Sequence, residues 1–250
     1  YDWISTLLDL LREKGWISTH TDPALLYRDV GGTREFISVY VDDLMIAAPP
    51  QRLKQCWDEI KGRFIAGTPE VAREYIGVRF GQGGTDGCAH SVDMRDYAKT
   101  LINGYRGDPI GKQIKKSEVP MSGEGAKQLI WSAVDPERQR TGPKLLRRVQ
   151  GYLGKLLWLS RTARPDLSHA TTLLASNASV WDDNAERELG RVIAYLETYP
   201  ETCLGYVRRS TTTWSPQSLK LRMYVDASLQ APRSYSGAAL VIVAPDGTEA

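Results

Sequence analysis

The chain has 250 residues, 42% of them hydrophobic and 25% charged, a balance that suits a folded domain with a core and excludes wholesale disorder. Its 32 Lys and Arg against 30 Asp and Glu give a net charge of +2, so total charge by itself points to no nucleic-acid partner. Three cysteines, at 56, 88 and 203, are too few and too scattered for a disulfide framework or a four-ligand zinc site and fit a reducing compartment, while the longest clean apolar run, 238–244, falls far short of the ~20 residues of a membrane helix.

In chain order, Trp3, Ile4, Leu7, Leu8 and Leu11 recur at helical spacing, and Lys14-Gly15 is a stop signal. Two short extended runs, 16–18 and 24–27, lead to a Gly31-Gly32 turn and then to a strand over 36–41 dense in β-branched and aromatic residues. A second apolar run, 44–48, ends at Pro49-Pro50, and Asp42-Asp43 between the two reads as a tight hairpin tip. A helix is predicted over 52–62, with Leu53, Trp57 and Ile60 on one face. Residues 74–80 and 89–92 read as a hairpin around a Gly-rich turn at 81–87, and Asp93 as the cap of a helix carrying Tyr97, Leu101 and Tyr105. The Gly-, Pro- and Lys-rich stretch 106–142 reads as a long connection. Helices follow on the stripe Leu145, Val149, Tyr152, Leu156, then from Pro165-Asp166, then after the capping-box pattern Asp183-x-x-Glu186. A short strand at 204–207, a polar linker at 210–218, and two strands at 219–225 and 237–244 close the chain, the first alternating as a half-buried strand does. The fold class expected is α+β. Tyr1 already stands in a helical pattern and Ala250 lies just past a turn, which predicts a segment of a longer reading frame.

The carboxylate pair Asp42-Asp43 carries the first chemistry. Asp is depleted in strands, and adjacent ionised carboxylates repel, so such a tip between apolar strands calls for compensation. A divalent metal supplies it, since Mg²⁺ is held by a few carboxylates together with waters and substrate phosphates. The alternative reading of the pair is an ordinary surface turn.

Around the pair, Ile37-Ser38-Val39-Tyr40-Val41-Asp42-Asp43-Leu44-Met45-Ile46-Ala47 resembles the catalytic hairpin of reverse transcriptases, most closely those of copia-type LTR retrotransposons. Further segments resemble the same family in order. Glu74-Tyr75-Ile76-Gly77-Val78 is similar to its primer-contacting segment, and Val92-Asp93-Met94-Arg95-Asp96-Tyr97 to the next helix start. Arg148-x-x-Gly151-x-Leu153-x-Lys155-Leu156-Leu157-Trp158-Leu159, with Thr162-x-Arg164-Pro165-Asp166-Leu167, resembles a stretch typical of the family. Tyr224-Val225-Asp226-Ala227-Ser228 with Ser234-Tyr235-Ser236-Gly237 is similar to the opening of its RNase H domain.

The resemblance implies a division into the C-terminal part of a polymerase palm (1–105), a helical thumb and connection (106–209), a linker (210–218) and the truncated start of an RNase H-like domain (219–250). It implies a fragment of an RNA-directed DNA polymerase, performing two-metal nucleotidyl transfer to a primer 3′-hydroxyl with Mg²⁺ (or Mn²⁺) as cofactor. Asp42 and Asp43 would be catalytic and metal-binding, Tyr40 and Gly77 would lie near the primer and nucleotide, and Asp226 would belong to an incomplete RNase H-like metal site. The partners would be an RNA template/DNA primer duplex and deoxynucleoside triphosphates, with no membrane. The location would be the cytoplasm, in a virus-like particle, or the nucleus. The family's polymerase uses a further catalytic Asp on a strand ahead of this part of the chain, so the isolated chain is expected to polymerise weakly or not at all. The rival reading is a non-catalytic retrotransposon remnant that keeps nucleic-acid binding.

The near-neutral total charge hides an asymmetry. Residues 138–165 carry Arg138, Arg140, Lys144, Arg147, Arg148, Lys155, Arg161 and Arg164 and no acidic residue. On a helix, Lys144, Arg147, Arg148 and Lys155 fall opposite the Leu145/Val149/Leu156 stripe, with Gly151 and Gly154 on the same outward side. That face is predicted to follow a phosphate backbone; four such contacts give a log K against log salt slope of about −3.6. Gly81-Gln82-Gly83-Gly84 lacks the Lys-Ser/Thr of a phosphate loop, His20, His90 and His169 lack metal-ligand spacing, and the Asn177-Ala178-Ser179 sequon reads as a chance match.

Overall fold

The structure is a computed structural model that describes residues 3–83, 89–109, 116–202, 204–207, 218–228, 235–245 and 247. The Gly-rich turn at 84–87 and linker residues 210–217 lie outside them. The chain divides into two compact units, Tyr1–Gly77 and Val78–Ala250.

In the first unit, helix α1 (Trp3–Glu13) buries Leu7 and Leu11, and Gly15, at φ 84, ends it in the left-handed region where glycine carries no steric penalty. Strands β1 (Ile17–Ser18), β2 (Leu25–Val30), β3 (Thr33–Tyr40) and β4 (Asp43–Ala47) form an antiparallel sheet in that order. Val30 pairs with Thr33 across Gly31 and Gly32, at φ 60 and 77, the backbone a two-residue primed turn demands. Along β3, Glu35, Ile37 and Val39 are buried, while Phe36 and Tyr40 are exposed on the other face. The buried face packs on α1 and α2 (Pro50–Lys61) in one cluster of Leu7, Leu11, Trp16, Leu26, Ile37, Val39, Cys56 and Ile60. The expected single strand over 74–80 is broken. β5 (Glu74–Tyr75) and β6 (Val78–Gly83) are separated by Ile76 and Gly77 at φ 48 and 73. Apolar alternation carries no sign of φ, and Gly77 was the one residue in the run to suggest a break.

The second unit holds a strip of β6, β7 (Ala89–Asp93) and β8 (Leu204–Val207), antiparallel throughout. Its helices are α3 (Arg95–Arg106), α4 (Gly123–Ser132), α5 (Pro143–Thr162), α6 (Ser168–Ser176) and α7 (Asp183–Thr198). They share one core that includes Tyr105, Leu129, Leu156, Leu167, Leu173 and Leu189. The unit boundary at Gly77 leaves α3 with α5 and α7, whereas the division at 105/106 followed the resemblance.

Helix α4 falls inside the stretch expected to be a connection. Gly123 and Gly125 in its first turn depress its helix propensity, and tertiary partners override that. Ser122 caps it by accepting from the Gly125 N–H at 2.9 Å, and itself donates N–H and hydroxyl to the buried Glu188 carboxylate at 2.9 and 2.8 Å. A Cβ on Gly125 would stand 2.3 Å from Glu188 Cδ, so only glycine fits there. The cap of α7 is Asp182 rather than Asp183, accepting from the Ala185 N–H at 2.8 Å, and Glu186 takes the Trp181 indole N–H at 2.9 Å instead of closing a capping box. Asp93 sits one residue ahead of the α3 cap position, yet its carboxylate accepts the Arg95 N–H at 2.8 Å. Asn177 is fully buried and donates through Nδ2 to the Leu129 and Leu173 carbonyls, which puts the sequon out of reach of a glycan.

Strands β9 (Lys220–Ser228) and β10 (Tyr235–Val243) pair antiparallel over their full length. The expectation of a half-buried strand fails here: Leu221, Met223 and Val225 are 71%, 60% and 69% exposed. Alternation shows that these residues share a face, and not that anything covers it.

Candidate active site

Tyr40 and Asp43 pair across the β3–β4 hairpin, so Val41 and Asp42 alone make the turn. Val41 stands at φ 52. A two-residue turn needs positive φ at its first position, a requirement that glycine or asparagine ordinarily meets. A β-branched residue there is a genuine outlier and carries strain of order 1–3 kcal/mol. The β3–β4 ladder holds the two consecutive carboxylates at its end despite that strain. Asp42 and Asp43 are both exposed, and neither makes an ion pair or a side-chain hydrogen bond among the described residues. Tyr40, 54% exposed, lies on the same face of the hairpin as Asp43.

Two hard carboxylate oxygen donors at a water-facing tip fit a Mg²⁺ that keeps waters and takes up substrate phosphates. They do not make a closed cage: no group of three or more His, Cys, Asp or Glu that could hold a metal occurs among the described residues. Asp226, exposed on β9 opposite Gly237, therefore stands without companion ligands there. Gly77, at φ 73, has open space where a Cβ would be, and Tyr75 beside it contacts β3 through its hydroxyl, 3.1 Å from Ser38 Oγ.

The basic run is more divided than its sequence suggests. Lys144, Arg147, Arg148 and Lys155 are all exposed on α5, and a Cβ on Gly151 or Gly154 would meet nothing within 4 Å. Arg148 is paired with Asp108 at 3.4 Å, and Arg138 with Asp182. Arg164 is 3% exposed and grips Asp166 through Nε and Nη2 at 3.0 and 2.8 Å. Its Nη1 donates to the Tyr199 carbonyl, and the Tyr195 hydroxyl donates to the same Asp166. The Arg-Pro-Asp stretch thus ties the α5–α6 corner to the end of α7. Trp158 is partly buried against the core.

One charged cluster is absent from the sequence reading. Beneath the β3 strand, Glu35 accepts from Arg28 at 2.9 Å and from Arg52 at 2.6 Å, and Arg28 also reaches Glu59 at 2.9 Å. The Arg52 hydrogen bond holds the Glu35 carboxyl below the usual carboxylate range although burial opposes it. A buried-looking Glu at an inward position of a strand is the signal that could have revealed it.

No family model matches the chain, and no solved structure matches it. The transposon Ty5-1 protein of Saccharomyces cerevisiae is 25% identical over 232 residues, which cover 90% of this chain and 67% of that protein. The retrovirus-related Pol polyprotein from transposon RE2 of Arabidopsis thaliana is 26% identical over 232 residues, again 90% of this chain and 14% of the polyprotein. Over most of its length the chain is similar to retrotransposon proteins, and it spans only a small part of the RE2 polyprotein. Among the described residues no helix is long and apolar enough to cross a membrane.

Proposed function

We propose that this chain, similar along its length to retrotransposon proteins, is a segment of an RNA-directed DNA polymerase and that the β3–β4 tip is the part of its active site held here. Asp42 and Asp43 bind Mg²⁺ (or Mn²⁺), which when bound neutralises phosphate charge and stabilises the attacking and leaving oxygens of phosphoryl transfer. Tyr40 borders the primer end on the face it shares with Asp43. Gly77 offers unobstructed backbone to the primer strand. Lys144, Arg147, Arg148 and Lys155 follow the phosphates of an RNA template/DNA primer duplex, and the incoming substrate is a deoxynucleoside triphosphate. Positioning and electrostatics supply most of the rate in such a reaction.

The observation that carries this reading is the left-handed turn at Val41, which sets at the end of a ladder two carboxylates that are unpaired among the described residues. A second feature supports it. β4 pairs only with β3 among the described residues, which leaves its outer edge free beside Asp43. A strand laid along that edge would bring the further carboxylate that the resemblance calls for.

The test is a Mn²⁺ titration, followed by water-proton relaxation, with primer–template duplex and deoxynucleoside triphosphate present. Wild type should bind Mn²⁺ more tightly with the nucleotides than without. The Asp42→Asn/Asp43→Asn variant should lose that increment. Equal binding by the variant overturns the reading. Duplex binding with no metal response in wild type would favour the non-catalytic remnant.

A further inference from the structure

We infer that Tyr75 is a positioning residue: its hydroxyl, hydrogen-bonded to Ser38, sets the segment ending at Gly77 on the open face of β3. The inference rests on the polymerase reading of the β3–β4 tip and adds to it the residue that registers the primer-side segment. Strand alternation places Ser38 on the face opposite the helices, with Phe36 and Tyr40, because Ile37 and Val39 are the buried positions. Ser38 pairs with Met45, and Tyr40, two residues on, with Asp43. The Tyr75 contact therefore lies about 7 Å along the strand from the Tyr40–Asp43 pair.

The course of the chain explains why one hydrogen bond matters here. After α2, residues 67–73 are exposed throughout, and Val71 is 80% exposed. The chain touches β3 at Tyr75, which is half-buried with its hydroxyl 3.1 Å from Ser38 Oγ. It then turns at once through Ile76 and Gly77, at φ 48 and 73. A β-branched residue does not rest in that region unless its surroundings hold it there. Tyr75 also borders an open groove of about 940 Å³ together with Met45 and Trp57, so packing does not enclose it. The polar contact, and not a fitted cavity, fixes where the segment touches β3.

Two readouts test this. The first is amide hydrogen exchange in β5, at Glu74 and Tyr75, in Tyr75→Phe, Ser38→Ala and the double variant. Each single change should speed exchange about five-fold, as for loss of one neutral hydrogen bond. The double variant should exceed neither single variant, and Ser38→Thr, which keeps the hydroxyl, should behave as wild type. Additive or absent effects overturn the inference. The second is binding of a recessed-3′-end duplex against a blunt duplex of the same length. Tyr75→Phe should narrow the wild-type preference for the recessed end about five-fold and leave blunt-duplex affinity unchanged. A wild-type preference that Tyr75→Phe does not alter overturns the positioning role alone. A wild type with no such preference overturns the polymerase reading and this role with it, whatever the exchange data show.

Discussion

At the β3–β4 tip, Asp42 and Asp43 carry their charges into solvent with no partner among the described residues, and the backbone that holds them is strained at Val41. At the α5–α6 corner, Asp166 is gripped by a buried Arg164 and by Tyr195. Both motifs stand out in the sequence as acidic residues in a distinctive setting, and the fold treats them oppositely. The corner neutralises its charge internally and gains architecture. The tip leaves its charge open and gains nothing in the chain itself, which is the arrangement a ligand can use. The contrast teaches that a distinctive motif is read as chemistry only after its partners are counted.

The largest effect should come from breaking the corner. Arg164→Ala strips Asp166 of its guanidinium and should cost about 3 kcal/mol or more in urea unfolding, whereas Asp42→Asn or Asp43→Asn should fall within about 0.5 kcal/mol of wild type. The reverse order would break the comparison.

Next comes the buried cluster under β3, where Glu35→Gln leaves Arg52 facing a neutral group and should cost about 3 kcal/mol at neutral pH. The folded Glu35 pKa is depressed, so its contribution is complete above the ordinary value of 4.5 and is lost as pH falls below it. Melting temperature against pH should therefore fall less steeply on the acid side in Glu35→Gln.

A smaller change sharpens the tip. Val41→Asn accepts positive φ and keeps the turn, so it should raise stability by about 1 kcal/mol and leave nucleotide-dependent Mn²⁺ binding at the wild-type level. Loss of Mn²⁺ binding in that variant would show that the valine side chain, and not the left-handed turn, serves the carboxylates. The smallest effect separates the α5 cations. Lys155→Ala should flatten the salt slope of duplex binding by about 0.9, and Arg148→Ala, whose partner Asp108 already claims part of its charge, by less.

Much of the first unit was legible in the sequence. Period and turn residues located α1, the β2–β3 turn at Gly31-Gly32, the Asp-Asp hairpin and α2, because each depends on neighbours within a few residues. The long stripe on α5 was legible for the same reason. What escaped depends on contacts far along the chain. Glu188 makes α4 a helix, Asp108 and Asp182 take up cations that looked free, and Arg28, Arg52 and Glu35 meet only once the sheet and α2 are assembled. The site residues Asp42 and Asp43 were found from their type and flanks. The strain at Val41 was not, since valine is a good strand residue and conceals a left-handed backbone.

The glycine at the start of α4 also has a consequence in time. Ser122 and Gly125 meet Glu188, which lies 66 residues beyond Ser122. During synthesis, α4 has no partner for its capped end until α7 has left the ribosome, so the segment 123–132 emerges as one of the last parts of the second unit to settle. A nascent chain arrested before residue 183 should show that segment open to protease, and one released past Thr198 should show it closed.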